Sequence, residues 1–300
     1  MTDAIGMIGL GNMGGHIATG LLEAGFGCVI HDASHARMEA LVARGAVAAA
    51  SPKAVADLCP IVMSCLPSPE ISRVVACGEA GAAKGSAIVC YVEMSTIGLV
   101  AAREIAADLE RNGIAFIDAP ISGGPAAAEA RTLTAMMSGS ETAIDAVQAV
   151  MKAFCQTIYR VGGLPGQAQA CKLVNNAISL TILALASEAA VFGVAAGLDA
   201  DVMIDVVNSS SGRSAVTETK FPKHILKRRF DFGAALSIGE KDLKLFVEEA
   251  RKLGSPTEIT PVAARIWEAA GATSDPGQDM MTLIEWFERP LGVVVGRPRP

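Results

Sequence analysis

The sequence predicts an α/β chain in which a Rossmann-type doubly wound sheet is followed by an all-helical second domain, the two joined by one long helix. Three observations lead there. Hydrophobic residues make up 51% of the 300 but aromatics only 4%, an Ala, Val, Ile, Leu and Gly mixture suited to helices packed closely on a parallel sheet. In the first half of the chain, short apolar runs alternate with stretches of helical periodicity, and after Pro165 the strand signals stop. The length exceeds what one core serves comfortably, so two domains are expected.

Residues 4–8, Ala-Ile-Gly-Met-Ile, read as a strand; Met13 to Ala24 has helical spacing and is stopped by Gly25; Cys28 to Asp32 reads as the second strand. The alternation continues with a helix near 35–44, a helix start at Ser51-Pro52, a strand at 61–66, a helix near 70–76, a strand at 87–92, a helix near 99–112 and a strand at 115–118. Strands at 133–138 and 157–161 flank a helix at 141–154 and complete the sheet. Strands separated by helices imply parallel pairing throughout. The first domain is therefore drawn as 1–163, ending at Gly162-Gly163, the second as 164–296, and the Arg/Pro-rich residues 297–300 as a tail.

From Pro165 to about Ala196 the pattern is one helix, roughly 45 Å long at 1.5 Å per residue. Asn175, Asn176, Ser179, Thr181, Ser187 and Glu188 interrupt its apolar stretch, so no membrane span is expected. A helix of that length needs a surface to cover it, and a homodimer or homotetramer is expected. Further helices fit 200–208, 241–253 and 261–271.

A formal charge of −6 and the absence of a broad Lys/Arg face argue against nucleic acid as a partner. The one basic cluster, Lys220 to Arg229, reads as a solvated helix face or loop, with anion binding as the alternative. Seven cysteines are scattered singly, with no C-x-x-C and no His at ligand spacing, so they read as reduced core residues and no metal site is expected. Gly9, Gly11 and Asn12 interrupt the first apolar run before it could serve as a signal peptide, and a cytoplasmic location is expected.

Gly9-Leu10-Gly11-Asn12-Met13-Gly14 is a G-x-G-x-x-G loop that follows a strand and opens a helix, the context that makes this pattern specific for a dinucleotide. Gly9 permits the sharp turn, Gly11 lets the pyrophosphate approach the backbone, and Gly14 lets the helix pack on the strand with its N-terminus toward the phosphates. Asp32 ends the second strand, where an acid can accept from the adenine ribose hydroxyls. A 2′-phosphate about 4 Å from that carboxylate would be repelled by roughly 4 kcal/mol at an effective dielectric of 20. NAD is therefore expected, with NADP less favoured and Arg37 nearby in sequence.

A fold does not fix a reaction, but four segments carry more. The Ile8–Gly14 loop, Asp118-Ala119-Pro120-Ile121-Ser122-Gly123-Gly124, the stretch from Gly166 through Lys172 to Asn176, and Lys241-Asp242-Leu243 together resemble the β-hydroxyacid dehydrogenase family in order and spacing, over essentially the whole chain. The family includes 3-hydroxyisobutyrate dehydrogenase and tartronate and succinic semialdehyde reductases. The resemblance implies a Rossmann-type domain, a helical second domain and oxidation of a small β-hydroxy acid to its semialdehyde or keto form, or the reverse. Ala168 departs from the family pattern, where a Gly is usual.

Oxidising an alcohol with NAD requires a base within hydrogen-bond reach of the hydroxyl. The resemblance gives that role to Lys172; a free lysine is too basic to be neutral near pH 7, but burial and a nearby nicotinamide positive charge lower its pKa so that it can accept the proton. Asn176 lies at i+4 and Ser179 at i+7, on the same helix face; the resemblance implies that Asn176 holds the hydroxyl or Lys172, while Asn175 should point elsewhere. Ser122, Gly123 and Gly124 are expected to hold the substrate carboxylate through a hydroxyl and backbone N–H groups. By resemblance Thr96 contacts the nicotinamide half, Leu66-Pro67 lines the adenosine side, Lys241 at a helix start reaches the cofactor or substrate, Asp242 orients it, and Arg213 borders the substrate tail. Phe232 and Leu236 are candidates for the rest of the substrate pocket. Two alternatives stand beside this reading: an NADP-dependent tartronate or succinic semialdehyde reductase, and a non-catalytic dinucleotide-binding module. His16 is expected to be an ordinary helix residue.

Overall fold

The computed structural model describes residues 4–275 and 277–297; of the predicted tail, only Arg297 falls within them. The chain divides into two compact units, Met1–Lys172 and Leu173–Pro300. The division falls inside the long helix rather than ahead of it.

In the first unit the strands are β1 (Ile5–Ile8), β2 (Cys28–His31), β3 (Val47–Ala48), β4 (Ile61–Ser64), β5 (Cys90–Glu93), β6 (Ala115–Asp118), β7 (Ile121–Ser122), β8 (Leu133–Ser138) and β9 (Cys155–Gly162). They form one sheet in the order β3-β2-β1-β4-β5-β6-β8-β7, with β9 on β8. The register explains why both faces are covered. Met7 pairs with Ile30 and Met63, Met63 with Val92, and Val92 with Ile117; these five share one core with Leu21, Ile144 and Phe154. The intervening row, Val62, Tyr91 and Phe116, belongs to the opposite core with Ile105 and Leu109. Side chains alternate across a strand, so nearly continuous apolar runs bury both faces, as a doubly wound sheet requires.

Helices α1 (Gly14–Glu23), α2 (His35–Val42), α3 (Pro52–Ala56), α4 (Pro69–Cys77) and α5 (Leu99–Glu110) connect these strands. Ser51 and Ser68 cap α3 and α4 by accepting from Ala54 and Ile71, each followed by Pro in the first turn, which costs no hydrogen bond there. The expectation of parallel pairing throughout is corrected at one place: β8 runs antiparallel to both β6 and β7. Only α6 (Gly124–Glu129) separates β7 from β8, too little chain for a parallel crossover. A full crossover returns with α7 (Glu141–Met151), and β8 and β9 are parallel.

The second unit holds most of α8 (Gln167–Ala195) and α9 (Ala200–Asn208), α10 (Leu236–Leu253), α11 (Thr260–Gly271) and α12 (Leu283–Glu288), with a π-helical segment, Val216–Ile225. Its core joins Leu183 and Val191 of α8 to Phe221, Leu243, Trp267, Met281 and Ile284. Helix α8 has the length and apolarity to cross a membrane, but Leu180, Leu183, Ala184, Ala190 and Val191 are spent in this core.

Two expectations for this unit are corrected, the start of one helix and the exposure of the basic cluster. Helix α10 starts at Leu236, not near Lys241, with no side-chain cap to mark it. Leu236 is buried in the helical core. The Lys220–Arg229 cluster is only partly a solvated face: Lys223 and Arg229 are exposed, but the Arg228 guanidinium pairs with Glu285 at 3.1 Å and Glu288 at 2.6 Å, and Lys220 is half-buried against Ser179.

Candidate active site

Five strands of the first unit end in one row. Ile8 is paired with His31 and Ser64, Ser64 with Glu93, and Glu93 with Asp118. The loops leaving that edge therefore emerge side by side, where doubly wound sheets place ligands. They carry the Gly9–Gly14 loop, Asp32, Leu66-Pro67, Thr96 and, beyond β6, Ser122 to Gly124.

In the Gly9–Gly14 loop the glycines play distinct parts. Gly9 has φ +85°, and its N–H donates to the His31 carbonyl at 3.0 Å. A Cβ at Gly14 would overlap the Gly9 carbonyl oxygen, whereas one at Gly11 would meet nothing within 4 Å. Gly14 is thus required by the fold, and Gly11 keeps open space, the property needed where a pyrophosphate meets the backbone. Helix α1 begins at Gly14 without a side-chain cap, leaving its first N–H groups to be satisfied otherwise. These residues fit a dinucleotide.

Asp32 is buried and already engaged. One carboxylate oxygen accepts from the Leu10 N–H at 2.6 Å, the other from the Ser34 N–H at 2.7 Å, and the Arg37 guanidinium stands 3.6 Å away. The side chain therefore ties the glycine loop to the turn after β2. A carboxylate offers about four acceptor sites, so it can serve a sugar hydroxyl as well.

The loops after β4 and β5 are tied together by Ser95, whose hydroxyl accepts from the Leu66 N–H at 2.7 Å while its N–H donates to Glu93 at 2.9 Å. Glu93 is fully buried, and desolvation pushes its carboxyl up to about 7. Among the described residues its second oxygen and the hydroxyls of Ser64 and Ser72 have no hydrogen-bond partner. A folded pKa above the ordinary carboxylate value means that this contribution to stability is full in acid and is lost as pH rises through about 7. Glu93→Gln keeps an acceptor for Ser95 and adds donors facing the serines. Urea unfolding at pH 8 should find the variant more stable than the parent, with the gain gone near pH 4; an equal difference at both would contradict the assignment.

Gln169, on the first turn of α8, is the residue sequence reasoning missed. It is completely buried, accepts from the Ile97 and Gly98 N–H groups at 2.8 and 3.1 Å, and donates to the Ser95 carbonyl at 3.0 Å and to Asp118 at 2.7 Å. The other oxygen of Asp118 accepts from the N–H groups of Gly166 and Gln169 and from Ser138. Burial pushes the Asp118 carboxyl up to about 6 while these donors oppose the shift. One amide and one acid thus lock the Thr96 loop, the end of β6 and the start of α8. The available signal was a glutamine amid Ala168, Ala170 and Cys171.

Lys172 stands one turn beyond Gln169 on α8 and is 7% exposed, so the amine is not spread into solvent. Ser122 ends β7, and Gly123 and Gly124 follow with φ +134° and +75°. A Cβ at Gly123 would also press on Ala127 and Leu133, so both conformation and space demand glycine. Lys172, Thr96, Ser122 and the glycine loop all belong to the first unit.

In the second unit, the Asn176 amide donates to Asp242 at 2.6 Å, and the Lys241 ammonium lies 2.9 Å from the other Asp242 oxygen. Asp242, on the second turn of α10, thus bridges Asn176 and Lys241. Asn175 is exposed, and its amide donates to Asn176 at 3.0 Å, fixing which Asn176 atom faces Asp242. Arg213 is 65% exposed and 3.7 Å from Glu218, a surface pair. Among the described residues no cluster of His, Cys, Asp or Glu could hold a metal. Burial pushes Cys28, Cys90 and Cys155 up to about 12, which removes them as nucleophiles.

Residues 4–163 match the NAD-binding domain of 6-phosphogluconate dehydrogenase, and 166–287 match the NAD-binding domain of NADP-dependent 3-hydroxyisobutyrate dehydrogenase. The chain is 35% identical to the 2-(hydroxymethyl)glutarate dehydrogenase of Eubacterium barkeri, over 97% of each chain. Two solved structures superpose closely. The Mycobacterium tuberculosis 3-hydroxyisobutyrate dehydrogenase with L-serine gives a TM-score of 0.86 at 26% identity, covering 95% of this chain and 99% of that one. A protein called Psf3, in complex with NADP+ and 2-OPP, gives 0.84 at 27% identity, covering 94% and 99%. The chain is an NAD(P)-dependent oxidoreductase acting on the CH–OH groups of hydroxy acids. It belongs to the β-hydroxyacid dehydrogenase family.

Proposed function

We propose that the protein is an NAD-dependent dehydrogenase that interconverts a small β-hydroxy acid and its semialdehyde or keto form, with Lys172 moving the proton. The observation that carries this reading is the burial of Lys172 on α8, one turn from the Gln169 lock and in the same unit as the glycine loop and Ser122. When bound, the nicotinamide supplies the acceptor for the hydride that leaves carbon. The chain's own share is to hold the acid, orient the alcohol and take its proton. Ser122 and the two glycine N–H groups suit the carboxylate, the Lys172 amine takes the hydroxyl proton, and the Asn176 amide, held by Asp242, positions the oxygen. In the reduction the ammonium returns the proton to the carbonyl oxygen.

NAD is favoured because Asp32 presents a carboxylate at the end of β2, where a 2′-phosphate would be repelled. The NADP reading is kept because Arg37, 3.6 Å from Asp32, is a cation able to offset that charge, and because the Psf3 structure holds NADP+. Replacing Asp32 would not separate the two, since its loss also frees the Leu10 N–H. Direct comparison of turnover with NAD and NADP does; an NADP preference contradicts the use made of Asp32.

The reaction itself is tested by NADH production from a panel containing 3-hydroxyisobutyrate, L-serine, L-threonate and 2-(hydroxymethyl)glutarate. Activity on at least one is expected, and silence on all favours the binding-module alternative. Gly11→Ala sharpens the cofactor assignment. With open space around it, the methyl should leave the melting temperature unchanged yet weaken dinucleotide binding about tenfold or more, equivalent to roughly 1.4 kcal/mol. Unchanged affinity measured by calorimetry would remove the pyrophosphate from this loop. A homo-oligomer is also proposed: Val174, Ile178, Leu185 and Phe192 of α8 are exposed, Phe192 by 75%, an apolar row of the sort that a partner subunit covers.

A further inference from the structure

Gln169 spends most of its amide on the segment around Thr96. The oxygen accepts from the N–H groups of Ile97 and Gly98, and the nitrogen donates to the Ser95 carbonyl and to Asp118, which uses both donors and both acceptor sites. Taking the carbonyl of residue 95 and the N–H of residue 97 is how a residue of a neighbouring parallel strand would hold Thr96. The side chain thus continues the grip of the sheet past the end of β5 at Glu93. From Tyr91 to Leu99 every residue except Thr96 is buried, so this brace holds a buried segment from which Thr96 alone reaches the surface.

The other end of the brace is fixed as firmly. The Gln169 N–H donates to Asp118 of β6 at 3.0 Å, the Gly166 N–H to the same oxygen at 3.1 Å, and the Ala168 N–H to Ser138 of β8 at 3.0 Å. With the first turn of α8 pinned to two strands, a shift of the Gln169 amide passes directly to Thr96. All of these residues belong to the first unit. We propose that Gln169 is a positioning residue for the nicotinamide half of the dinucleotide, acting by holding the peptide groups on either side of Thr96. This rests on the reading that Thr96 contacts the nicotinamide, and it gives the structural lock a part in cofactor geometry. The adenosine half is served by the Gly9 loop and Asp32, which have their own bonds, and should not sense the change.

The double variant Gln169→Glu with Asp118→Asn separates positioning from folding. Exchanging acid and amide keeps the net charge: the new amide at 118 donates to the new carboxylate at 169, which still accepts from Ile97 and Gly98, and the Ser95 carbonyl alone loses its donor. Calorimetry on the full chain at pH 8 compares NADH with ADP-ribose, which lacks the nicotinamide. The ADP-ribose affinity should stay near the parent's while NADH binds about tenfold more weakly. An unchanged ratio of the two affinities would overturn the proposal, since a purely structural residue moves both alike. Should the double variant melt far below the parent, Gln169→Glu alone at about pH 5.5 supplies the same comparison. A proton shared with Asp118, whose buried carboxyl sits at about 6, then restores every contact except that to Ser95. Thr96→Ala should lower the NADH to ADP-ribose ratio as well. A parent-like ratio in Thr96→Ala would overturn the Thr96 reading and the proposal with it, whereas a fall confined to Thr96→Ala sinks only the role given to Gln169. No turnover is read, so neither result bears on Lys172.

Discussion

Replacing Gln169 by Leu is expected to cost the fold about 4 kcal/mol or more, the largest stability effect of any single change considered. The leucine fills similar space but leaves four groups without their partner: the N–H groups of Ile97 and Gly98, the Ser95 carbonyl and one oxygen of Asp118. Each unsatisfied buried group costs roughly 1–3 kcal/mol, more when charged. Domains are stable by only about 5–15 kcal/mol, so the variant should melt about 10 °C lower or fail to accumulate. Asp118 can soften the loss by taking a proton, because burial has already raised its carboxyl to about 6. The destabilisation should therefore be smaller at pH 5 than at pH 8. Urea unfolding at both values checks this, and a loss below about 1 kcal/mol would show that the lock is not structural.

The double winding was legible because strands buried on both faces are written as apolar runs, and because Gly9, Gly14 and the Ser51-Pro52 start carry their backbone meaning locally. The antiparallel turn at β7 and β8 was not, since β7 has two residues and leaves no periodic trace. The start of α10 escaped notice because Leu236 is preceded by Ala235, which offers no capping side chain. In the candidate site, the Gly9 loop, Asp32, Lys172 and Ser122 could be read from motif and resemblance. The Gln169–Asp118 bond joins residues far apart in sequence, and no local pattern encodes such a pairing. Lys220 illustrates the same limit from the other side: charge suggested solvent, but tertiary packing put its ammonium over an aromatic ring.

Lys172→Ala is the second large effect. Loss of one acid/base group lowers turnover by roughly 10²- to 10⁴-fold. Removing a buried lysine could also loosen α8, so the effect on chemistry must be separated from effects on folding and binding. Because the glycine loop and Asp32 are held by their own bonds to His31, Leu10 and Ser34, dinucleotide affinity should survive the change.

The most direct measurement is therefore a single turnover of Lys172→Ala, already loaded with NAD and mixed with saturating hydroxy acid, followed by NADH absorbance beside a calorimetric NAD titration. The account predicts hydride transfer slowed by about a hundredfold or more, with NAD affinity and melting temperature held near the parent's. Transfer at the parent's rate would contradict it.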